Sequence, residues 1–366
     1  MNKKDKSILF VLPGTARALT GGYKVIYEYA NRFSAEGWTV GLLYSYPPRK
    51  KGIKNYIKQI LKKVMYDIFK TYKVCKWFPV NKNINKYLLA NEILDNFPDD
   101  CKSYEYICAT ALKTSFWVKE WEFFDEQKKL YLIQDFENWN GIKDEIVFDS
   151  YKLGLKNIAI SEWLKNIVEG CGEKCYLVKN GFDFNSFQLI SPIESRNPFR
   201  IVMLYHTSTR KGISYSFSAL ETLKKDFPEL EVNIYGVPKR PKSLPSWYHY
   251  VQKPSKKELL DLYNSSSIFI SSSIQEGWGL TVGEAMLCGC AVACTENNGH
   301  LIMAKNEITA LTSPIRNSSL LAENIKKLIT NNKLRIEIAK KGNEFIQKFD
   351  WDSSFTEFLR VIQENE

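Results

Sequence analysis

Short apolar runs alternate with stretches of helical spacing in two successive series along this chain, and few architectures accommodate that alternation. The first run, Ser7 to Leu12, leads into a loop framed by Gly14 and Gly21-Gly22. From Tyr23 to Ala35, the residues Val25, Ile26, Tyr29, Ala30 and Phe33 recur at helical spacing, and Gly37 stops the helix before the strand Thr39 to Tyr44. Further strands are predicted at Tyr106 to Ala109, Lys129 to Ile133, Asn157 to Ile160 and Cys175 to Lys179. Helices lie between them, including Ser161 to Glu169 with Ser161 as its N-cap. The pattern lapses from Asp183 to Pro198, through Ser191-Pro192 and Asn197-Pro198, and then resumes. The second series comprises strands at Arg200 to Tyr205, Glu231 to Tyr235, Ile268 to Ser273 and Ala291 to Thr295. Its helices are Ile213 to Asp226, Lys256 to Asn264, Gly283 to Cys288, Leu320 to Ile329 and Lys333 to Phe349.

A helix between two strands returns the chain to the same end of the sheet, so such series build parallel sheets. The expected class is α/β, with two Rossmann-like doubly wound domains facing a central cleft and ligands outside the carboxyl ends of the strands. The expected domains are residues 1–182, with a basic insert at about 49–87, and residues 199–348, joined by a linker at 183–198. A last helix within 349–366 is expected to pack back on the first domain. The opening glycine loop lacks a clean G-x-G-x-x-G, so by itself it fits many nucleotide-binding folds.

Composition narrows the function classes. A chain of 366 residues with 44% apolar and 25% charged residues is globular and long enough for about two domains. It holds no run of about 18 apolar residues that would span a membrane. The apolar stretch before Pro13 is too short for a signal-peptide core, and the reading is a cytoplasmic protein. The eight cysteines show no zinc-like pairing and are expected as reduced, mostly buried thiols. Three widely spaced histidines, His206, His249 and His300, support neither a histidine metal site nor a serine–histidine triad.

The segment Glu276-Gly-Trp-Gly-Leu-Thr-Val-Gly-Glu284 follows an apolar strand and opens a helix. A strand feeding a glycine-rich turn and then a helix offers backbone N–H groups to an anion. Carboxylates at either end accept hydrogen bonds from vicinal hydroxyls. Together these describe a pocket for a sugar nucleotide, although a lone pair of acids on a tight turn would have no such meaning.

The surrounding residues resemble the family 4 retaining glycosyltransferases, which have the two-domain GT-B fold. Residues 271–293 are similar to that family's EGFGLPxxEAMAxGxPV signature, and Asn180-Gly181-Phe182-Asp183 with Phe187 to its NGVDxxxF element. Gly21-Gly22 and Phe349-Asp350-Trp351 also match, whereas residues 46–128 match weakly. The resemblance implies that Glu276 accepts hydrogen bonds from donor-sugar hydroxyls and that Glu284 binds the ribose. It implies that the backbone of Gly277, Trp278, Gly279, Leu280 and Thr281 meets the diphosphate, with Gly21 and Gly22 approaching it from the first domain. Arg210 and Lys211, before Gly212, stand where the family keeps its phosphate-binding Lys-Gly. Tyr205-His206 replaces the family's usual Gly-Arg, so Arg210 is the expected substitute. Asn298-Gly299-His300-Leu301-Ile302 lacks the further glutamate of many relatives, which implies a different set of sugar contacts.

The implied reaction is a front-face retaining transfer that needs no metal and no cofactor. Asp135, with Gln134 and Glu137 behind it, is the candidate for positioning sugar or acceptor, against the plainer reading of a solvated loop carboxylate. Asp350-Trp351-Asp352 mimics an Asp-x-Asp metal site but falls beyond the sheets. Residues 49–86 hold 12 basic residues against one acid, Asp67. Within them an apolar helical stripe from Ile53 to Tyr72 carries Lys54, Lys58, Lys62 and Lys63 on its other side. The segment is read as an acceptor or membrane surface that attaches reversibly to anionic lipid, or else as a core-facing helix. No nucleic-acid module accompanies the basicity.

The expected function is transfer from a nucleotide sugar to a glycan acceptor, lipid-linked, in bacterial surface polysaccharide (O-antigen or capsule) synthesis at the inner face of the cell membrane. The alternatives are a protein or small-molecule acceptor, or a catalytically silent binding partner.

Overall fold

A computed structural model describes residues 6–15, 20–46, 77–90, 97–139 and 141–364. The predicted basic stripe and its Lys54, Lys58, Lys62 and Lys63 lie outside the described residues. The chain divides into two compact units, the first holding residues 1–178 and 355–366 and the second residues 179–354.

The first unit is built on strands β1 (Ser7–Leu12), β2 (Thr39–Tyr46), β3 (Asn85–Ala90), β4 (Tyr106–Ala109), β5 (Lys129–Ile133), β6 (Lys156–Ala159) and β7 (Cys175–Leu177). They form one parallel sheet in the order β3-β2-β1-β4-β5-β6-β7. Helices α1 (Gly21–Ala35), α2 (Leu112–Glu120), α3 (Asp144–Tyr151) and α4 (Glu162–Gly170) provide crossovers. β1 and β4 are buried at every position. That is why they read as unbroken apolar runs rather than alternating ones. Ser161 stands at the N-cap of α4, but its hydroxyl makes no capping bond and is buried without a partner. The start of α2 is capped by its own Thr114 and by Glu137 from beyond β5. Thr114 Oγ1 accepts from Thr110 and Ala111, and Glu137 Oε1 accepts from Leu112 N at 3.0 Å.

The second unit repeats the plan. Strands β8 (Arg200–Tyr205), β9 (Glu231–Gly236), β10 (Tyr248–Gln252), β11 (Ile268–Ser271), β12 (Ala291–Thr295) and β13 (Leu311–Ser313) form a parallel sheet. Its order is β10-β9-β8-β11-β12-β13. Helices α5 (Ile213–Asp226), α6 (Lys256–Ser265), α7 (Leu280–Leu287), α8 (Ser318–Thr330) and α9 (Asn332–Ile346) surround it. Ile201, Met203, Ile234, Ile268 and Ile270 from the strands pack against Leu220, Leu223, Ile325 and Leu328 from the helices. Burial of each such side chain contributes about 1.5–3 kcal/mol.

Residues 183–198, expected as a linker, are held on this second unit. The Arg196 side chain donates to the carbonyls of Ser191, Ser266 and Cys288 and is only 6% exposed. α9 ends at Ile346, three residues before the predicted end. Phe349 instead accepts from Phe182 N at 2.9 Å, and Phe182 pairs with Asp350 as a parallel bridge. Helix α10 (Trp351–Gln363) begins there, with Asp350 as its cap through Ser353 N and Oγ. In the first unit, Phe355 and Phe358 of α10 pack edge-on against Phe33 and Tyr29 of α1. The seven described cysteines are free thiols, buried except for the half-buried Cys171.

Candidate functional site

In the second sheet, the order in which strands are added reverses between the parallel neighbours β8 and β11, which lie side by side although β9 and β10 intervene in sequence. Loops leaving two such strands diverge and leave a crevice at their carboxyl ends. Lys211 comes from the loop after β8 and Glu276 from the loop after β11, and their side chains meet there at 2.5 Å. The pair is partly shielded, with Lys211 23% and Glu276 14% exposed. Ser273 Oγ donates to the same carboxylate oxygen, Glu276 Oε1, at 2.7 Å. Both bonds to the Glu276 carboxylate from described residues therefore end on Oε1, and none of them reaches Oε2. The ammonium of Lys211 has three hydrogens. One is on Glu276, and no other described residue takes the remaining two. Burial opposes ionisation of Glu276, but Lys211, His300 and the hydrogen bonds from Lys211 and Ser273 outweigh it and hold the carboxyl below its usual range.

The loop carrying Lys211 is fixed by its glycine. Gly212 is left-handed at φ 55° and forms the N-cap of α5. A Cβ there would collide with the Ser272 carbonyl oxygen, while Ser272 Oγ donates to the Gly212 carbonyl at 2.7 Å. The Lys-Gly pair thus lets the first loop lie directly on the second, which is what brings Lys211 to Glu276. Arg210 lies on the same short turn, and its carbonyl accepts from Ile274 N at 2.7 Å. His206 is the first residue beyond β8, and its Nδ1 accepts from Ser208 N at 2.9 Å. Burial first, then Lys211, lower the His206 pKa, which places the imidazole in the same electrostatic neighbourhood.

Helix α7 starts at Leu280, three residues earlier than its apolar spacing suggests. Gly279 takes φ 94° and turns the chain directly into the helix without a side-chain cap. Among the described residues, none accepts from the Leu280 and Thr281 N–H groups, and a helix start of this kind favours an anion. The Trp278 side chain is buried beneath the turn, so only its backbone is on the turn itself. It packs against Phe182 at 6.5 Å and edge-on against Phe349 at 5.5 Å. Gly283 gives Phe182 its place, since a Cβ on the helix there would enter the Phe182 ring. The three separated pieces that resemble the transferase family are therefore one packed support under the turn.

Glu284, on the following turn of α7, is 7% exposed. Its charge adds to burial in raising the buried Tyr235 and Tyr263, whose hydroxyls share a 2.6 Å hydrogen bond. Glu276 and Glu284 thus sit at opposite ends of one glycine turn. In the first unit, Gly21 and Gly22 open α1, and the Gln134 amide packs on Gly22 while donating to the Thr110 carbonyl at 3.2 Å. Asp135 follows β5, where Oδ1 accepts from Phe136 N at 2.9 Å. Glu137, expected behind it, is engaged in capping α2.

His300 was not singled out by its sequence context and lies at 0% exposure beside the glutamate turn. Its ring carbon Cδ2 lies 3.2 Å from where a Cβ on Gly279 would stand, and a Cβ on Gly299 would strike the Glu276 backbone. Burial holds His300 below its ordinary pKa of 6.5, against the opposing influence of Glu276. A group with a lowered folded pKa stabilises fully above the unfolded value. That contribution declines as pH drops below 6.5 and is gone once pH has passed the folded value. We expect His300→Leu to flatten the loss of apparent melting temperature between pH 7.5 and about 5.5, near the ordinary histidine titration. Equal losses in the variant and the parent would contradict this linkage.

Residues 190–345 match the family model for Glycosyl transferases group 1. That stretch lies within the second unit. Similarity to whole proteins is more distant. The chain is 26% identical over 113 residues to N,N'-diacetylbacillosaminyl-diphospho-undecaprenol alpha-1,3-N-acetylgalactosaminyltransferase of Campylobacter jejuni, covering 31% of this chain and 30% of that protein. It is 20% identical over 221 residues to phosphatidyl-myo-inositol mannosyltransferase of Mycobacterium tuberculosis, covering 56% and 58%. The chain thus spans less than two thirds of either relative's length. In three dimensions, the Anabaena protein HepE in complex with UDP and glucose superimposes with a TM-score of 0.74 at 15% identity. That match covers 98% of this chain and 100% of HepE. The fold around the matched stretch is the GT-B type, with both units Rossmann-like.

Among the described residues, no group of three or more His, Cys, Asp or Glu side chains could hold a metal ion, and no helix is long and apolar enough to cross a membrane.

Proposed function

We propose that this chain is a retaining glycosyltransferase that moves a sugar from a nucleoside-diphosphate donor to a glycan acceptor. The observation that carries this reading is the Lys211–Glu276 pair at the switch point, beside a helix start with unspent N–H groups. A carboxylate with one oxygen fixed and one open suits a sugar hydroxyl, and a cation with hydrogens to spare suits a phosphate oxygen. Breaking a glycosidic bond to a diphosphate puts negative charge on the leaving oxygen. A fixed cation and aligned N–H groups stabilise that charge without reorganising.

In this reading, Lys211 and Arg210 face the diphosphate with the backbone of Gly277, Trp278, Gly279, Leu280 and Thr281. Glu276 holds the sugar and Glu284 the ribose. Gly21, Gly22 and Asp135 are the contributions of the first unit, with Asp135 positioning sugar or acceptor. HepE was solved with UDP and glucose, which makes a uridine donor the first to test. The Campylobacter relative's name includes a diphospho-undecaprenol. That supports a lipid-linked acceptor of bacterial surface polysaccharide and a protein peripheral on the inner face of the cell membrane. The basic stripe bearing Lys54, Lys58, Lys62 and Lys63 would serve as its contact with anionic lipid. The proposed transfer requires neither metal nor cofactor.

A thermal-shift series of nucleoside diphosphates and sugar nucleotides, followed by assay of diphosphate release, tests this reading. Glu284→Ala should weaken nucleotide affinity by roughly 10-fold, the loss of one or two charge-assisted hydrogen bonds. No stabilisation by any nucleotide, and unchanged affinity in Glu284→Ala, would remove the ribose assignment and the function built on it.

A further inference from the structure

His300 has no part in the proposed chemistry, yet it begins a line of polar contacts that ends on Glu276. Asn297 Nδ2 lies 2.9 Å from His300 Nδ1, and His300 Nε2 lies 3.3 Å from Ser271 Oγ. Ser271 Oγ lies 3.4 Å from Ser273 Oγ, which donates to Glu276 Oε1 at 2.7 Å. Ser271 ends β11 and Ser273 follows it, whereas Asn297 and His300 follow β12, the strand paired beside β11.

Counting hydrogens orients the Asn297 amide. Asn297 Oδ1 accepts from His300 N at 3.0 Å, which fixes the amide's orientation. Its Nδ2 therefore donates, once to the Ser273 carbonyl at 2.9 Å and once towards His300 Nδ1. The Thr295 carbonyl accepts from Asn297 N at 2.9 Å and also lies 2.9 Å from Nδ1, while Thr295 Oγ1 lies 3.5 Å from Asn297 Nδ2. A proton on Nδ1 would therefore go to the Thr295 carbonyl, leaving Nε2 to accept from Ser271 and the two serines unlinked. With the proton on Nε2, each donor from Asn297 through His300, Ser271 and Ser273 to Glu276 has an acceptor.

We propose that His300 is a positioning residue for Glu276: its Nε2 hydrogen orients Ser271, Ser271 orients Ser273, and Ser273 locks Glu276 Oε1 so that Oε2 faces the donor sugar. The proposal rests on the reading of Glu276 as the sugar-binding carboxylate. Lys211 alone fixes only a distance, because an ammonium rotates freely. The serine supplies the second direction that sets the plane of the carboxylate. His300 also lies against Gly279, so the residue that aims Glu276 abuts the turn that receives the diphosphate.

The test starts with the wild-type chain and UDP-glucose, reading nucleotide affinity by calorimetry and turnover by diphosphate release. His300→Leu should lower kcat about tenfold or more while the donor KM and the UDP affinity stay within about twofold. His300→Gln, whose amide can donate to Ser271, should restore most of the loss. Ser273→Ala should match His300→Leu, and the double variant should be no worse than Ser273→Ala alone. With three histidines in the chain, nitrogen NMR of the imidazoles should show His300 neutral and protonated on Nε2.

Additive losses in the double variant, full turnover in His300→Leu, or a proton on Nδ1 would each overturn the proposal. So would equal falls in UDP affinity and kcat, which are the mark of a damaged fold. Should His300→Leu not fold, Ser271→Ala removes one atom from the same line and carries the same expectation. A wild-type chain that binds UDP-glucose and turns it over, beside unaffected variants, would refute only the positioning role. A wild-type chain that binds no sugar nucleotide would overturn the functional reading and the positioning role together.

Discussion

Glu276→Gln should reduce transfer by about 10²- to 10³-fold while nucleoside diphosphate affinity stays within about threefold, the scale seen when one preorganised polar group is removed from a reacting centre. The substitution keeps the size of the side chain. Its consequence comes from what the carboxylate touches, because Lys211 and Ser273 both donate to Oε1. An amide at this position presents either an oxygen with no charge or an NH2 group opposing two donors. The open oxygen that would accept from the sugar loses its charge in both cases. Lys211 keeps its ammonium and is released from its counter-charge, so attraction for a diphosphate should not fall. Calorimetry with UDP and a diphosphate-release assay separate the two effects. Parallel losses of affinity and turnover would move Glu276 from the sugar end of the donor to the phosphate end.

Gly212→Ala should destabilise the second unit by about 2–4 kcal/mol, combining left-handed strain with displacement of a buried backbone contact. The residue sits at φ 55°, and the added methyl would meet the Ser272 carbonyl oxygen, which belongs to the end of the neighbouring loop rather than to a movable side chain. Relief requires the β8 and β11 loops to part, and parting them separates Lys211 from Glu276. The expected signature is a lower melting temperature together with weaker nucleotide binding. Thermal melts with and without UDP read both. A variant of parental stability and affinity would show that the two loops do not depend on this contact.

The elements legible in the sequence were those buried on both faces or strongly periodic. β1, β4 and β5 are buried at every position, and apart from Ser7 and Lys129 at the strand starts they carry unbroken apolar runs. α5 and α8 likewise follow their apolar spacing. The edge strand β10 escaped notice because Tyr248 to Gln252 is half exposed and no helix precedes it to mark the alternation. β13 has three residues, too few for any period to register. The start of α7 was misplaced because apolar periodicity carries no information on the sign of φ, and Gly279 begins the helix by turning left-handed. The end of α9 was overextended for a different reason. The apolar Phe349 continues the helical pattern but is claimed by a bridge to the distant segment at Phe182.

Within the candidate site, the chemistry of Glu276, Glu284 and Lys211 could be read from residue type and order. Their partnership could not, since 65 residues separate Lys211 from Glu276. Trp278 stands inside the glycine turn, and only packing revealed that its ring is buried against Phe182 and Phe349. His300 was read only as one of three widely spaced histidines, because spacing along the chain does not show that it is buried beside Gly279.

The sequence by itself determined two parallel-sheet units and the residue types available at their strand ends, because burial and periodicity are local properties written along the chain. Tertiary structure alone decided which of those residues touch. Strand order sets β8 beside β11, and Gly212 allows their loops to meet without a side chain between them. The lysine, the glutamate and the buried histidine line come together through that adjacency, which no spacing in the sequence encodes.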